Sequence, residues 1–235
     1  MKPFSIAAGL SLAVLAAAAG LAVGQDKSVR PGINKPFENP SVAEYLGKFE
    51  VESREIFARR QEILAACKLK PGMVVADIGA GTGLFTRLFA SQVGPDGKVF
   101  AVDIAPKFIE YIENTSRKQG LRNVVGVVCK PDSVELAPNS IDLAFVCDTY
   151  HHFEFPFKTM ASIHRALRPR GRLILVDFRR IPGKSSAWIM NHVRAGQEVF
   201  TREIVETGFR QVEEGNFLKE NYLVRFEKVD RSQPK

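Results

Sequence analysis

The stretch VVADIGAGTG, residues 74–83, restricts the fold more than any other part of this chain. Apolar residues that suit a strand buried on both faces run into Asp77, and glycine then takes three of the next six positions, 79, 81 and 83. A carboxylate at the end of such a strand costs free energy unless a partner there needs it. Glycine just past the strand permits a tight turn and lets a ligand reach the backbone, whose amides open the following helix. The stretch reads as a strand, a ligand-binding turn and a helix start near Leu84.

From Lys70 onward the same grammar recurs. Strands are expected over residues 73–76, 99–102, 124–128, 141–147 and 173–178, with helices over 84–91, 106–119, 157–167 and roughly 186–207. Strands alternating with helices of this length imply β-α-β units and a doubly wound sheet with helices on both faces. The chain's end breaks the alternation: FRQVEEGNFLKENYLVRFEKV offers two strands and no helix, hence an antiparallel hairpin at one sheet edge. Upstream, residues 25–39 are rich in Pro, Gly and charge and read as a linker. Pro40 and Ser41 then start one or two helices, a cap over 40–69, with Ile56, Ile63 and Leu64 at helical spacing.

Residues 1–24 have the form of a secretory leader: Lys2, an uncharged run over 6–23, and small residues Ala22 and Gly24 before Gln25. Cleavage there leaves a periplasmic or membrane-associated protein. An uncleaved anchor is the alternative, because a run of that length sits at the lower edge of what spans a bilayer. The chain of 235 residues, 45% hydrophobic and 25% charged, is otherwise that of an ordinary globular domain. Cys67, Cys129 and Cys147 each lie in an apolar stretch and read as core thiols. The net charge of +7, with arginines at 168, 170, 172, 179 and 180, suits an anionic lipid surface or acidic ligand, or is a solvated face. No basic stripe with interleaved aromatics indicates nucleic acid.

In an open α/β sheet ligands bind beyond the carboxyl ends of the strands. A dinucleotide site there carries G-x-G-x-x-G, whereas this chain has G-x-G-x-G, and Asp77 would repel a pyrophosphate. A carboxylate at that point suits an amine and a sulfonium cation. The second strand ends on Asp103, placed to accept ribose hydroxyls, and CKPDSVEL after the third strand puts Asp132 at the same rim, able to accept an exocyclic amine. Singly each aspartate is as readily a turn or helix cap. Together they describe an adenosine site with a cationic tail, and an NAD-dependent oxidoreductase is disfavoured.

With VVADIGAGTG, Asp103, KPDS, IDLAFVCDTYHHF and LRPRGRLILVDF in place, the chain over about residues 70–228 resembles the class I S-adenosylmethionine-dependent methyltransferases. The resemblance implies a Rossmann-like, seven-stranded sheet with an antiparallel last pair, and S-adenosylmethionine as cofactor. By resemblance Asp77, Gly79, Ala80, Gly81, Thr82 and Gly83 hold the methionine part, Asp103 the ribose, and Asp132 and Ser133 the adenine, with Ile104 and Cys147 also at the cofactor. Arg170 departs from the family's L-K-P-G-G-R-L turn by replacing its first glycine.

The methyl group's surroundings follow from DTYHHF. Asp148, Tyr150, His151 and His152 lie past the fourth strand, where quinone-methylating relatives of this type place a histidine or polar group toward the acceptor. Transfer from a sulfonium needs alignment, plus a base when the nucleophile must lose a proton. His151 or His152 is the expected base, with Asp148 orienting it; the alternative is that one imidazole caps a helix and the other packs. In WIMNHVRAGQEV, Trp188 and His192 would cover the acceptor and Arg194 pair with an acidic one, unless this is an amphipathic helix with Trp and Met in the core. Glu52, Arg54 and Glu55 close the pocket or form a solvated face. No metal is expected: adjacent histidines usually point apart and no His-x-x-His pair supports them. The reading is a methyltransferase for a small-molecule or lipid-like acceptor. The competing one is an exported, non-catalytic S-adenosyl-binding protein, which the distance from cytoplasmic cofactor supply makes worth weighing.

Overall fold

The structure is a computed structural model and describes residues 25–229. The leader expected over residues 1–24 lies outside the described residues.

The described residues form a seven-stranded sheet from β1 (Val74–Ile78), β2 (Lys98–Asp103), β3 (Val124–Val128), β4 (Ile141–Cys147), β5 (Leu167–Phe178), β6 (Phe209–Gly215) and β7 (Asn221–Lys228), ordered β3-β2-β1-β4-β5-β7-β6. The first five strands are parallel, and β7 runs antiparallel to both β5 and β6. This is the Rossmann-like doubly wound sheet with a C-terminal hairpin. The winding reverses between β1 and β4, so the crevice opens beyond Ile78 and Cys147, the switch point where such sheets bind ligands.

Eight α-helices and two 3₁₀ turns, Lys35–Phe37 and Tyr150–His152, complete the described part: α1 (Val42–Phe49), α2 (Glu55–Ala58), α3 (Arg60–Ala66), α4 (Leu84–Val93), α5 (Pro106–Lys118), α6 (Pro156–Ala166), α7 (Ala187–His192) and α8 (Gln197–Glu206). Alternate strand residues feed opposite faces. Ala76, Ile78, Ala144 and Val146 pack with Met160 and Ile163 of α6 and Phe200 and Ile204 of α8. Val75, Leu143 and Phe145 pack with Phe85 and Phe89 of α4 and Ile63 of α3. β1 and β4 are thus dry on both faces, which is why they read as apolar runs, whereas β3 at the sheet edge leaves Val125 and Val128 exposed. No helix among the described residues is long and apolar enough to cross a membrane.

Three details depart from the sequence reading. The helix expected over 186–207 is broken: Val193 leaves α7 in an extended conformation and is buried, and Gly196 caps α8. The break leaves His192 at the end of α7. Residues 25–39, expected as a linker, are docked: the Val29 amide donates to the Glu154 carbonyl (2.9 Å), Asn34 Nδ2 to the His152 carbonyl (3.1 Å), and the Phe37 ring lies 5.2 Å from that of His152. Several of the clustered arginines are engaged within the chain, Arg168 with Asp142 (2.7 Å), Arg179 with the Asn221 carbonyl and Arg180 with that of Met190.

β5 begins at Leu167, which pairs with Ile141, and its register shifts before Arg172 meets Leu143. The turn residue in that kink is Arg170, with φ +63°. A side chain in the left-handed region costs roughly 1–2 kcal/mol relative to glycine, partly offset by glycine's larger loss of entropy on folding. Arg170→Gly is expected to stabilise the protein by up to about 1 kcal/mol in denaturant unfolding; a loss of stability would show that the arginine's contacts outweigh its backbone strain.

Candidate active site

A cavity of about 620 Å³ opens at the carboxyl ends of β1, β2 and β4, a size typical of small-molecule sites. Its floor is the glycine turn. Gly79 has φ +73°, and a Cβ there would come within 2.2 Å of the Thr149 side chain, so both the conformation and the close approach of the loop after β4 require glycine. Gly83 caps α4 at φ +80°, with Ile112 where its Cβ would be.

Two acids lie beneath this turn. Asp77 is buried and accepts from Thr86 Oγ1 (2.6 Å); burial pushes its carboxyl up to about 7. Asp103 accepts the amides of Gly81 (2.8 Å) and Ala105 (2.9 Å), tying the glycine turn to the start of α5, and burial raises it to about 6. Each pKa is raised because water is excluded from the charged form, so each carboxylate is poised to gain from a cation. An ionised carboxylate offers about four lone-pair sites, so Asp103 retains acceptors for ligand hydroxyls.

The N-terminal cap is tied to this floor. Glu50 accepts Thr82 Oγ1 (2.7 Å) and a two-pronged contact from Arg87 (2.8 Å to each oxygen). Arg54 reaches Asp148, Nη2 to Oδ2 at 2.5 Å, while Asn221 Nδ2 donates to Oδ1 at 2.6 Å. Asp148 itself takes the left-handed conformation, φ +47°. Burial pushes its carboxyl up, and the Arg54 guanidinium opposes that. Glu55 accepts the successive amides of Lys219, Glu220 and Asn221, which fixes the turn before β7. Arg54 therefore lines the site, Glu55 fixes the turn before β7 outside it, and Glu52 is exposed.

Three histidines meet on the other side of the cavity. The His151 and His152 rings lie 4.4 Å apart, and His192 Nε2 is 3.3 Å from His152 Nε2. His151 Nδ1 sits 2.8 Å from Asp177 Oδ1, and Asp177 also accepts the amides of His151 and Phe178. A carboxylate there holds the proton on Nδ1 and leaves Nε2 as the acceptor. Burial drives the His152 imidazole down to about 2 and that of His192 to about 4, so both are neutral at ordinary pH. Trp188 is half exposed at the mouth and stacks on His192 at 4.6 Å.

Of the residues singled out in the sequence, Asp77, Gly79, Ala80, Gly81, Thr82, Asp103, Ile104, Ser133, Cys147, Asp148, His151, His152, Trp188 and His192 line this one cavity. Asp132 does not. Backbone bonds between Lys130 and Ser133 close a tight turn with Asp132 at its tip, and Ser133 faces the cavity instead. Tyr150 is fully buried with its hydroxyl on Glu203 (3.1 Å), because the 3₁₀ turn after β4 drives it into the core beside Phe200. Arg194 is spent on the same Glu203, at 2.8 and 2.5 Å, and is not open to an acidic acceptor. Asp148 serves Arg54 and Asn221, and it is Asp177 that orients the histidine. Cys67 is core, but Cys129 and Cys147 are half-buried cavity walls; burial pushes Cys129 up to about 12 and Cys147 well above its usual range, so both stay neutral thiols. Glu50, Arg87 and Asp177 carried no local signal in the sequence.

A family described as a methyltransferase domain matches residues 69–226. The ubiquinone/menaquinone biosynthesis C-methyltransferase UbiE of Hydrogenovibrio crunogenus is 27% identical over 114 residues, 48% of this chain and 45% of that protein. The demethylmenaquinone methyltransferase of Symbiobacterium thermophilum is 31% identical over 126 residues, covering 50% and 47% respectively. The alignment thus spans about half the length of these curated relatives. A crystal structure of a SAM-dependent methyltransferase from Aquifex aeolicus superposes with a TM-score of 0.72 at 24% identity, over 81% of this chain and all of that one, and shares the fold.

Arg54→Ala leaves the Asp148 carboxylate buried with Asn221 as its remaining side-chain partner. With the pair partly open to solvent, the loss is expected to be about 2 kcal/mol in denaturant unfolding, partly recovered by adding Asp148→Asn. Equal stability of wild type and Arg54→Ala would show that the ion pair contributes nothing.

Proposed function

The chain belongs to the methyltransferase-domain family, and from that premise we propose that it transfers a methyl group from S-adenosylmethionine to a small, apolar or lipid-like acceptor of the quinone-precursor kind. One observation carries this reading. A glycine turn over two buried acids and an apolar, histidine-lined chamber share a single cavity.

The residues present fit the cofactor. Asp77 and Asp103 are buried carboxylates that gain from a cation and from hydroxyl donors, and the glycine turn leaves space that a Cβ would take. Asp77 would hold the amine and sulfonium end, Asp103 the ribose hydroxyls, and Ile104 with Ser133 the adenine. S-adenosylmethionine supplies an electrophilic methyl group on a sulfonium. The chain's own work is to align and dry the acceptor. Phe37, Phe178 and Trp188 wall the chamber, and His151, its Nδ1 held by Asp177, takes the acceptor's proton on Nε2. This dyad also weighs against a non-catalytic binder, which needs no oriented base. Export belongs to the same proposal and rests on the leader pattern; the first residue of the purified protein, Gln25 if the leader is cut, tests it.

Three further outcomes are expected. Because Asp77 must be ionised to attract the ligand's amine and Asp103 to accept both ribose hydroxyls, S-adenosylhomocysteine affinity should rise between about pH 5.5 and pH 8. The sign for stability is opposite: raised folded-state values stabilise the ligand-free protein below the ordinary carboxylate range near ~4, and that contribution is lost as pH climbs through about 6 to 7. The rise in melting temperature on ligand binding should therefore be larger at pH 8 than at pH 5.5; a flat profile would place the cation elsewhere. Asp103→Ala should weaken S-adenosylhomocysteine in calorimetry by more than about tenfold, the loss of a charge-assisted hydrogen bond. His151→Ala should leave that affinity intact and cut methylation of an acceptor, found by labelling extracts, by roughly 100-fold or more. An unchanged rate would remove the base from His151.

A further inference from the structure

We propose that His151, His152 and His192 bind one divalent transition-metal ion of the zinc class, with a coordination position open to the cavity. The expectation that adjacent histidines point apart fails here. One donor atom from each of the three residues can be chosen so that all lie within 4.8 Å of one another. The Nε2 atoms of His152 and His192 are 3.3 Å apart, about the separation of two donors bound at ~2.05 Å to a tetrahedral ion.

A hydrogen bond between those two rings engages only two of the three histidines. His152 Nδ1 is buried with no partner, and ligation through Nε2 would leave it so. The arrangement behind the rings is that of a metal site as well. Asp177 grips Nδ1 of His151 and directs Nε2 outward, the carboxylate–histidine pairing that fixes the tautomer of a ligand. Trp188 stacked on His192 and Phe37 edge-on to His152 at 5.2 Å set the other two planes. All three histidines line the cavity, so an ion among them faces it. A set of imidazoles without carboxylate favours zinc, copper or nickel over magnesium or calcium. Arg30 is held nearby on the Asn191 carbonyl, and Asp177 is the anion in direct contact with the cluster.

What the ion does rests on the methyl-transfer reading and narrows it. The acceptor is then a compound with an ionisable hydroxyl, such as a phenol or hydroquinone. Its O–H bond breaks, the proton passes to solvent, and the oxygen binds the ion as an anion that activates the acceptor. With the ion bound His151 is a ligand; without it His151 is the base.

The test is calorimetric titration of chelator-treated full-length protein with zinc, and the absorption spectrum of the cobalt(II) form. One ion per chain is expected, with a four-coordinate cobalt spectrum. His152→Ala and His192→Ala should each weaken zinc by more than about 100-fold, and Asp177→Asn by roughly 10- to 100-fold. S-adenosylhomocysteine binding and thermal unfolding establish that each variant is folded. A folded wild type that takes up no zinc, or variants that bind it as tightly as wild type, would overturn the site and leave the methyltransferase reading standing. Zinc uptake lost in the variants, in a wild type that does not bind S-adenosylhomocysteine, would uphold the site and fell that reading instead.

Discussion

The structure depends on carboxylates buried where strands leave the sheet. Asp77 at β1, Asp103 at β2, Asp148 just past β4 and Asp177 near the end of β5 are each costly to bury, and each is retained by donors from neighbouring elements. Asp103 holds the glycine turn against the start of α5. Asp148 ties the N-terminal cap to β7, and Asp177 fixes the loop that carries the histidines. Three of the four, Asp77, Asp103 and Asp148, also line the crevice, so residues that order the site are residues a ligand there would meet.

This dependence explains what could be read in the sequence. β4 begins and ends where its apolar run does, because a strand buried on both faces writes its limits into composition, and β3, half exposed at the sheet edge, is marked by its run of valines. Asp77 and Asp103 were legible since each stands at the end of such a run beside glycines or a helix start. Asp177 has the same role but sits in LILVDFRR, where the chain continues in extended conformation and nothing local marks an exit. Glu50 and Arg87 find each other across 37 positions, a tertiary pairing that no periodicity encodes. Asp132 was misread for the converse reason, since the sequence shows that a turn occurs but not which residue forms its tip.

The histidine cluster was hidden by a helix break. A continuous helix over 186–207 would carry His192 on a regular spiral, whereas the extended Val193 ends α7 at the rim and brings that ring to His152. The docked segment before residue 58 acts similarly. Ile33, Phe37, Tyr45 and Phe49 line the cavity, and the Phe37 and Tyr45 rings stack around Phe108 of α5. These aromatic walls precede residues 69–226, the part that the methyltransferase-domain family matches.

The charges in the cavity also bear on how tightly the proposed cofactor and its product are each held. Transfer turns a sulfonium into a neutral thioether, so one positive charge near Asp77 disappears. That carboxyl, already raised to about 7 by burial, then holds a proton more readily and its hold on the amine weakens. The ionised rim thus favours the charged cofactor over its product. A divalent ion among the histidines would add positive charge at the acceptor end and oppose the sulfonium. Asp177 and an acceptor bound as its oxyanion offset that charge, so such an ion suits an anionic acceptor and disfavours a neutral one. Acceptor charge and metal occupancy are in this way a single question about the site.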